Sequence, residues 1–329
     1  MDGILGKIAA ESFKIISMKN TSHKINILVT GASGFLGFHV IKELQDRGYA
    51  NLIAPRSSEY DLRNQEHLDS LFSSNSIDVV IHLAAVVGGI GANQNNPGTF
   101  FYDNAIMGIQ LLEAARRYSV KKTVIVGTVC SYPKFATVPF KESDLWSGYP
   151  EETNAPYGLA KKMLLVQSQA YRDQYGSNMI YLLPVNLYGP KDNFDPESSH
   201  VIPALIKKFV EAKDLGNSEI DVWGTGKATR DFIYVSDAAE GIVTAMERYN
   251  GPDPVNLGSG MEISISNLAN MIKTAVGSDA KIKFDSSKPD GQPRRSLDTS
   301  LAQKEFGFVA KTNFTEGIKE TVNWYLKNR

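Results

Sequence analysis

A glycine-rich turn set between two different hydrophobic periods narrows the fold most. An apolar run, 25–29, has the character of a buried strand. From Phe35 to Arg47 the apolar residues Leu36, Val40 and Leu44 recur at four-residue steps, which is a helical pattern. The junction reads Gly31-Ala32-Ser33-Gly34-Phe35-Leu36-Gly37. Glycines there let the backbone turn tightly and approach a pyrophosphate, whose charge meets the helix N-terminus. A glycine string alone is weak evidence, and a structural turn is its bland reading. The strand–turn–helix context makes it a dinucleotide site.

The same alternation continues downstream. Strands are predicted at 52–54, 79–84, 123–126 and 180–184, and helices at 65–72, 99–118 and 157–175. This order predicts an α/β fold, a doubly wound parallel sheet (Rossmann) with ligands at the carboxyl ends of its strands. Beyond about Asn186 prolines punctuate the pattern, and helices remain at 201–213, 236–249, 265–276 and 315–327. The expected division is an N-terminal extension (1–23), a cofactor domain (24–185, with 226–258) and a smaller C-terminal substrate-binding lobe (186–225 and 259–329).

Thr128 closes the strand 123–127, and Tyr157 and Lys161 stand four apart on one helix face. The ammonium is expected to lower the phenol's pKa and to hold the nicotinamide ribose, while Tyr157 moves the proton and Thr128 binds the same carbonyl oxygen. A lone Tyr-x-x-x-Lys occurs by chance on many helices. Its company here makes a hydride-transfer enzyme the reading. About twenty residues past the glycine loop, where an NAD site carries an acid, stand Arg56, Ser57 and Ser58. They suit a 2′-phosphate, so NADP(H) is expected; a solvated loop arginine is the alternative, and Glu59 is nearby. Asp61 and Leu62 are expected at the adenine edge, and Ala84, Ala85 and Asn104 along the cofactor path.

Across 329 residues, 42% hydrophobic with a net charge of −1, a sizeable core is available and nothing draws the chain to nucleic acid or an anionic membrane. A single cysteine, Cys130, excludes an internal disulfide and favours a reducing, cytoplasmic setting. Asp2, Lys7, Glu11 and Lys14 interrupt the N-terminal apolar residues, so neither a signal peptide nor a membrane span is expected. A surface helix or a start-site extension, with Met18 as an alternative start, is the reading of 1–23. No metal site is expected.

The motif order and the glycine spacing of three resemble the extended short-chain dehydrogenase/reductase superfamily. Within it the chain resembles the GDP-L-fucose synthase family, the GDP-4-keto-6-deoxy-D-mannose 3,5-epimerase/4-reductases. The strings that carry this are His82-Leu83-Ala84-Ala85 with Val87-Gly88-Gly89-Ile90, Cys130-Ser131-Tyr132-Pro133-Lys134 and Asn154-Ala155-Pro156-Tyr157. More selective are Asp192-Asn193-Phe194 and Ser199-His200-Val201-Ile202-Pro203. The resemblance implies that Cys130 and His200 form the epimerisation pair. It also implies a GDP-sugar substrate met by Asn186, Lys208, Trp223, Arg230 and Arg295, the last two and Lys208 at the pyrophosphate. A buried apolar cysteine and a loop histidine are the bland readings of the pair. Thr128 stands for the family's serine, and Lys207-Lys208 for an arginine pair, which leaves the sugar and base open.

The expected activity is NADPH-dependent 3,5-epimerisation and 4-reduction of a GDP-4-keto-6-deoxyhexose. An NAD-dependent nucleotide-sugar 4-epimerase, a reductase-only or epimerase-only enzyme, and a non-catalytic NADP-sensing module are the rivals. A homodimer is expected through the helices 99–118 and 157–175, with Ile106, Ile109, Leu112, Leu164, Leu165 and Tyr171 as its apolar contacts.

Overall fold

The computed structural model describes residues 24–329. The helix expected within 1–23 lies outside the described residues. The first half of the chain runs β1 (Ile27–Thr30), α1 (Phe35–Asp46), β2 (Leu52–Ile53), α2 (Gln65–Ser73), β3 (Val79–His82), α3 (Ile90–Asn95), α4 (Pro97–Arg117) and β4 (Lys122–Val126). After a short turn, Val129–Ser131, come α5 (Ala155–Tyr175) and β5 (Met179–Pro184). The second half runs β6 (Asn186–Tyr188), α6 (Val201–Leu215), β7 (Glu219–Trp223), β8 (Thr229–Tyr234), α7 (Val235–Arg248) and β9 (Val255–Leu257). It ends with β10 (Glu262–Ser264), α8 (Ile265–Val276), β11 (Lys281–Asp285), α9 (Ser300–Phe306) and α10 (Phe314–Asn328).

Six parallel strands form the main sheet in the order β2-β1-β3-β4-β5-β9. Every residue of β1, β3, β4 and β5 is buried, as parallel strands covered on both faces require. Strand order reverses between β1 and β3, and the crevice at that switch point is where such sheets hold ligands. Leu28, Leu68, Leu71, Val80 and Leu111 fill one apolar cluster; a larger one joins Val29, Val40, Ile125, Leu164, Leu182 and Ile242.

The lobe is built on two small sheets, β10-β8-β6 and β11-β7. Tyr188, Ile206, Phe209, Phe232, Leu268 and Ile318 form its own core. Helix boundaries follow local chemistry. Asn64 accepts the Glu66 and His67 amides to start α2, and Pro97 takes the first position of α4, two residues earlier than the apolar pattern indicates. A left-handed Gly176 (φ 69°) ends α5.

Candidate active site

The crevice begins at the glycine turn. Gly31 is left-handed (φ 70°), and a Cβ there would stand 2.7 Å from the Ala84 amide nitrogen. A Cβ on Gly37 would stand 2.1 Å from the Gly31 carbonyl oxygen, so α1 packs directly on the turn. Gly34 caps α1 with no side chain, which leaves the first-turn amides without a side-chain cap. Ser33 and Gly34 are exposed, with Phe35 and Leu36 half-buried behind them. Thr30 Oγ1 bonds His82 Nδ1 at 2.8 Å and accepts from the Ala84 amide at 3.4 Å, tying the ends of β1 and β3 together.

Around the expected cofactor path the structure assigns several side chains to scaffolding. Asn104 donates to the carbonyls of Val86 (2.8 Å) and Phe100 (2.7 Å) and accepts from the Val86 amide, so it fixes the segment after Ala84 and Ala85. Leu62 is buried with Leu68 and Leu111 rather than presented at an edge. Arg63 clasps the Asp61 carboxylate and holds it low, at about 2. Arg56, by contrast, is exposed and its guanidinium has no hydrogen-bond or ion-pair partner among the described residues.

At the ends of β4 and α5 the catalytic candidates converge. Thr128 Oγ1 accepts from the Cys130 amide at 3.2 Å and also hydrogen-bonds the Tyr157 hydroxyl. A Cβ on Gly158 would lie 2.3 Å from the Cys130 carbonyl oxygen, so the Cys130 turn rests against the first turn of α5. Ser131 Oγ donates to the Gly158 carbonyl at 3.0 Å and locks that contact. Tyr181 from β5 donates to the Lys161 carbonyl at 2.8 Å. Lys161 itself is only 2% exposed, and its ammonium has no hydrogen-bond partner among the described residues. Burial pulls it down to about 8.

Tyr157 departs from expectation. Burial raises its hydroxyl, the nearby Cys130 sulfur adds to that, and the bond with Thr128 is the opposing influence. The lowering expected from Lys161 does not prevail, and the phenol is held protonated. His200 is shifted too: burial and the Arg295 charge lower its pKa, so the ring is neutral at neutral pH in the ligand-free protein.

On the lobe side, Arg295 Nη1 approaches Cys130 Sγ at 3.6 Å and Asn186 Oδ1 at 3.3 Å. Asn186 in turn donates to the Asp231 carbonyl at 3.0 Å. Arg230 is buried and donates to the carbonyls of Thr229 (2.7 Å), Gln292 (2.6 Å) and Asp290 (2.9 Å). Burial first, then the Arg295 charge, lowers it to about 9. Lys208 Nζ donates to the Asp221 carbonyl at 2.7 Å, across from α6 to β7. Trp223 is half-exposed, with the Lys288 ammonium 5.3 Å from its ring centre.

A sequence model of the NAD dependent epimerase/dehydratase family matches residues 27–258. The chain belongs to that family. Within the family it groups with the GDP-L-fucose synthases: it is 41% identical to GDP-L-fucose synthase 1 of Arabidopsis thaliana over 96% of this chain and 97% of that one. The solved GDP-L-fucose synthetase of Naegleria fowleri bound to NADP superposes with a TM-score of 0.85 at 31% identity, covering 93% of this chain and 95% of that chain. A GDP-6-OMe-4-keto-L-xylo-heptose reductase from C. jejuni superposes with a TM-score of 0.88 at 29% identity, covering 93% and 98%.

Family membership leaves several features of this site to be read from structure alone. The Val87-Gly88-Gly89 string docks the His200 loop: the Gly89 amide donates to the Ser198 carbonyl at 3.1 Å, and a Cβ there would lie 2.6 Å from the Ser199 oxygen. Asn93 secures the same string by donating to Gly88 (2.8 Å) and Gly89 (3.0 Å). Paired glycines were the sequence signal for this close approach. Gln292 donates to the Pro133 and Lys134 carbonyls, each at 3.1 Å, and Asp192 keeps one carboxylate oxygen buried without a partner among the described residues.

Proposed function

We propose that this protein epimerises C3 and C5 of GDP-4-keto-6-deoxy-D-mannose and reduces C4, giving GDP-L-fucose or a close relative. The observation that carries the reading is the convergence of Thr128, Cys130, Tyr157, Arg295 and Asn186, beside a buried ammonium with no hydrogen-bond partner among the described residues. The residues fit NADPH. The crowded glycine turn, the uncapped start of α1 and the orphaned Lys161 are what a pyrophosphate and a ribose would complete. Gly31, Ser33, Gly34, Phe35, Leu36 and Gly37 would hold the pyrophosphate, Arg56 a 2′-phosphate, and Lys161 the ribose hydroxyls. NADPH, when bound, supplies the hydride for C4.

The chain's own groups do the proton work. A carbonyl at C4 acidifies the hydrogens on C3 and C5. Cys130 removes such a proton, and Tyr157 and Thr128 hold the negative charge that moves onto the keto oxygen. His200 returns a proton to the carbon. Its ring needs a proton first, and the negative charge of a bound GDP-sugar favours that form. In the reduction Tyr157, protonated in its buried setting, gives its proton to the same oxygen. Cofactor binding is assigned to 24–185 with 226–258, and the sugar nucleotide to 186–225 and 259–329, where Trp223, Lys208 and Arg230 face or brace the lobe. Arg230 and Lys208 spend hydrogen bonds on main-chain carbonyls, so their part at a pyrophosphate is confined to their remaining hydrogens.

A homodimer is proposed on the outer face of α4 and α5, where Phe101, Tyr102, Ile109, Met163 and Val166 are exposed. Leu112, Leu164 and Leu165, expected at that interface, are buried in the chain's own core. A cytoplasmic setting fits the lone cysteine. No described helix is long and apolar enough to cross a membrane.

Purified protein with GDP-4-keto-6-deoxy-D-mannose and NADPH in heavy water tests the reading. Oxidised NADPH, deuterium at C3 and C5 and an L-fucose configuration support it. Oxidation without deuterium refutes the epimerisation and leaves a reductase, the activity named for the C. jejuni protein of the same fold.

A further inference from the structure

Arg295 is an unusually constrained cation. It is 6% exposed, and no carboxylate pairs with it among the described residues. Its main chain is clipped to β8 on both sides, the amide donating to the Thr229 carbonyl at 3.1 Å and the carbonyl accepting from the Asp231 amide at 2.7 Å. Its side chain is clamped too: Nε donates to Gln292 Oε1 at 3.1 Å and Nη1 to Asn186 Oδ1 at 3.3 Å. Gln292 is itself anchored to the carbonyls of Pro133 and Lys134, three and four residues after Cys130. The clamp therefore fixes Nη1 relative to the segment that carries the thiol, and Nη1 lies 3.6 Å from Sγ. A buried guanidinium whose partners are otherwise neutral is costly. The sulfur is the adjacent group that can turn negative and relieve that cost.

We propose that Arg295 is the positioning residue that makes Cys130 a base, holding the sulfur in its thiolate form by a charge-assisted hydrogen bond. The proposal rests on the reading of Cys130 as the group that takes a carbon-bound proton. In that step the thiolate accepts the proton and becomes S–H. The C–H electron pair forms the carbon–carbon double bond of an enolate, and the charge passes to the keto oxygen. The charged or titratable groups around the sulfur are Arg295, Arg230 and Tyr157, with His200 close to Arg295. This departs from a pyrophosphate contact as the main role of Arg295.

The chain has one cysteine, so alkylation of whole protein reports on Cys130 alone. Rates with neutral iodoacetamide and anionic iodoacetate would be measured at pH 7 on ligand-free protein, for the parent, Arg295→Gln and Arg295→Lys, with melting curves to confirm folding. The expected result is a roughly tenfold slower reaction with iodoacetamide in Arg295→Gln, a larger loss with iodoacetate, and partial recovery of both in Arg295→Lys. Equal or faster alkylation of Arg295→Gln by both reagents would overturn the proposal, since it would mean that the arginine only shields the sulfur. Should Arg295→Gln not fold, Asn186→Ala loosens the clamp and is expected to slow iodoacetamide severalfold; an unchanged rate there also overturns it. Alkylation needs no substrate. An unsubstituted enzyme that shows the arginine effect but exchanges no deuterium into the sugar would refute the epimerisation and leave the Arg295–Cys130 coupling standing.

Discussion

Replacing Lys161 by methionine is expected to make the cofactor-free protein more stable. The ammonium is buried, has no hydrogen-bond partner among the described residues, and is pulled down to about 8 by burial alone. An unfolded lysine titrates near 10.4, and each unit of difference is worth about 1.4 kcal/mol, so the buried charge costs about 3 kcal/mol at pH 7. The sign follows from proton counting. Between pH 8 and roughly 10.4 the unfolded chain holds a proton that the folded one has lost, so stability rises with pH across that window. Below it the cost is full, and above it the cost is gone. Methionine is close in volume and carries no charge, so little packing is lost. In a chain of this size the gain corresponds to roughly 4 °C in melting temperature. Melting of parent and Lys161→Met without cofactor, from pH 7 to 10.5, measures it, and the difference between the two curves isolates Lys161 from the tyrosines. A variant that melts below the parent at pH 7, or a gap that fails to close toward high pH, would refute the reasoning. NADPH binding, followed by fluorescence, is expected to weaken at least tenfold in the same variant.

Three further outcomes can be checked. Arg56→Ala is expected to reduce the preference for NADPH over NADH by roughly tenfold or more, read as a ratio of kcat/KM values, because a charge-assisted phosphate contact is lost. Gly89→Ala places a methyl 2.6 Å from the Ser199 carbonyl oxygen and is expected to shift the His200 loop, costing about 1–3 kcal/mol in stability and lowering deuterium exchange more than NADPH binding. Asp192 is pushed up to about 7 by burial, so the folded chain keeps a proton that the unfolded one loses, and stability falls as pH rises from about 4 to 7. Asp192→Asn should lack that fall in urea titrations, and an unchanged pH profile would count against it.

The sheet was legible because its strands are unbroken apolar runs, which is how β1, β3, β4 and β5 read from the chain. The lobe was less so. Strand β7 alternates exposed and buried residues, and β6, β9 and β10 are three residues each, too short for a period to show. At the site, residue types and spacing pointed to Thr128, Tyr157 and Lys161, and the structure gathers them. Spacing says nothing of where a long side chain ends. Lys208, Arg230 and Arg295 were all expected at a pyrophosphate, yet the first two reach main-chain carbonyls and Arg295 ends at a sulfur. Asn104 read as a cofactor contact and is a brace, because an amide can satisfy an amide and two carbonyls at once. The direction of the Tyr157 shift was missed because burial is a property of the fold, not of a four-residue interval.

Thr128, Cys130, Tyr157 and Lys161 stand on a single block, since the Cys130 turn rests on Gly158 and is pinned by Ser131. His200 arrives separately, at the start of α6, on a loop seated against two glycines. One group is a single block, and the other reaches the site on a loop of its own. On the proposed reading, changes in the separately seated loop would retune which carbon is reprotonated, and from which side, while the single block went on reducing a ketone.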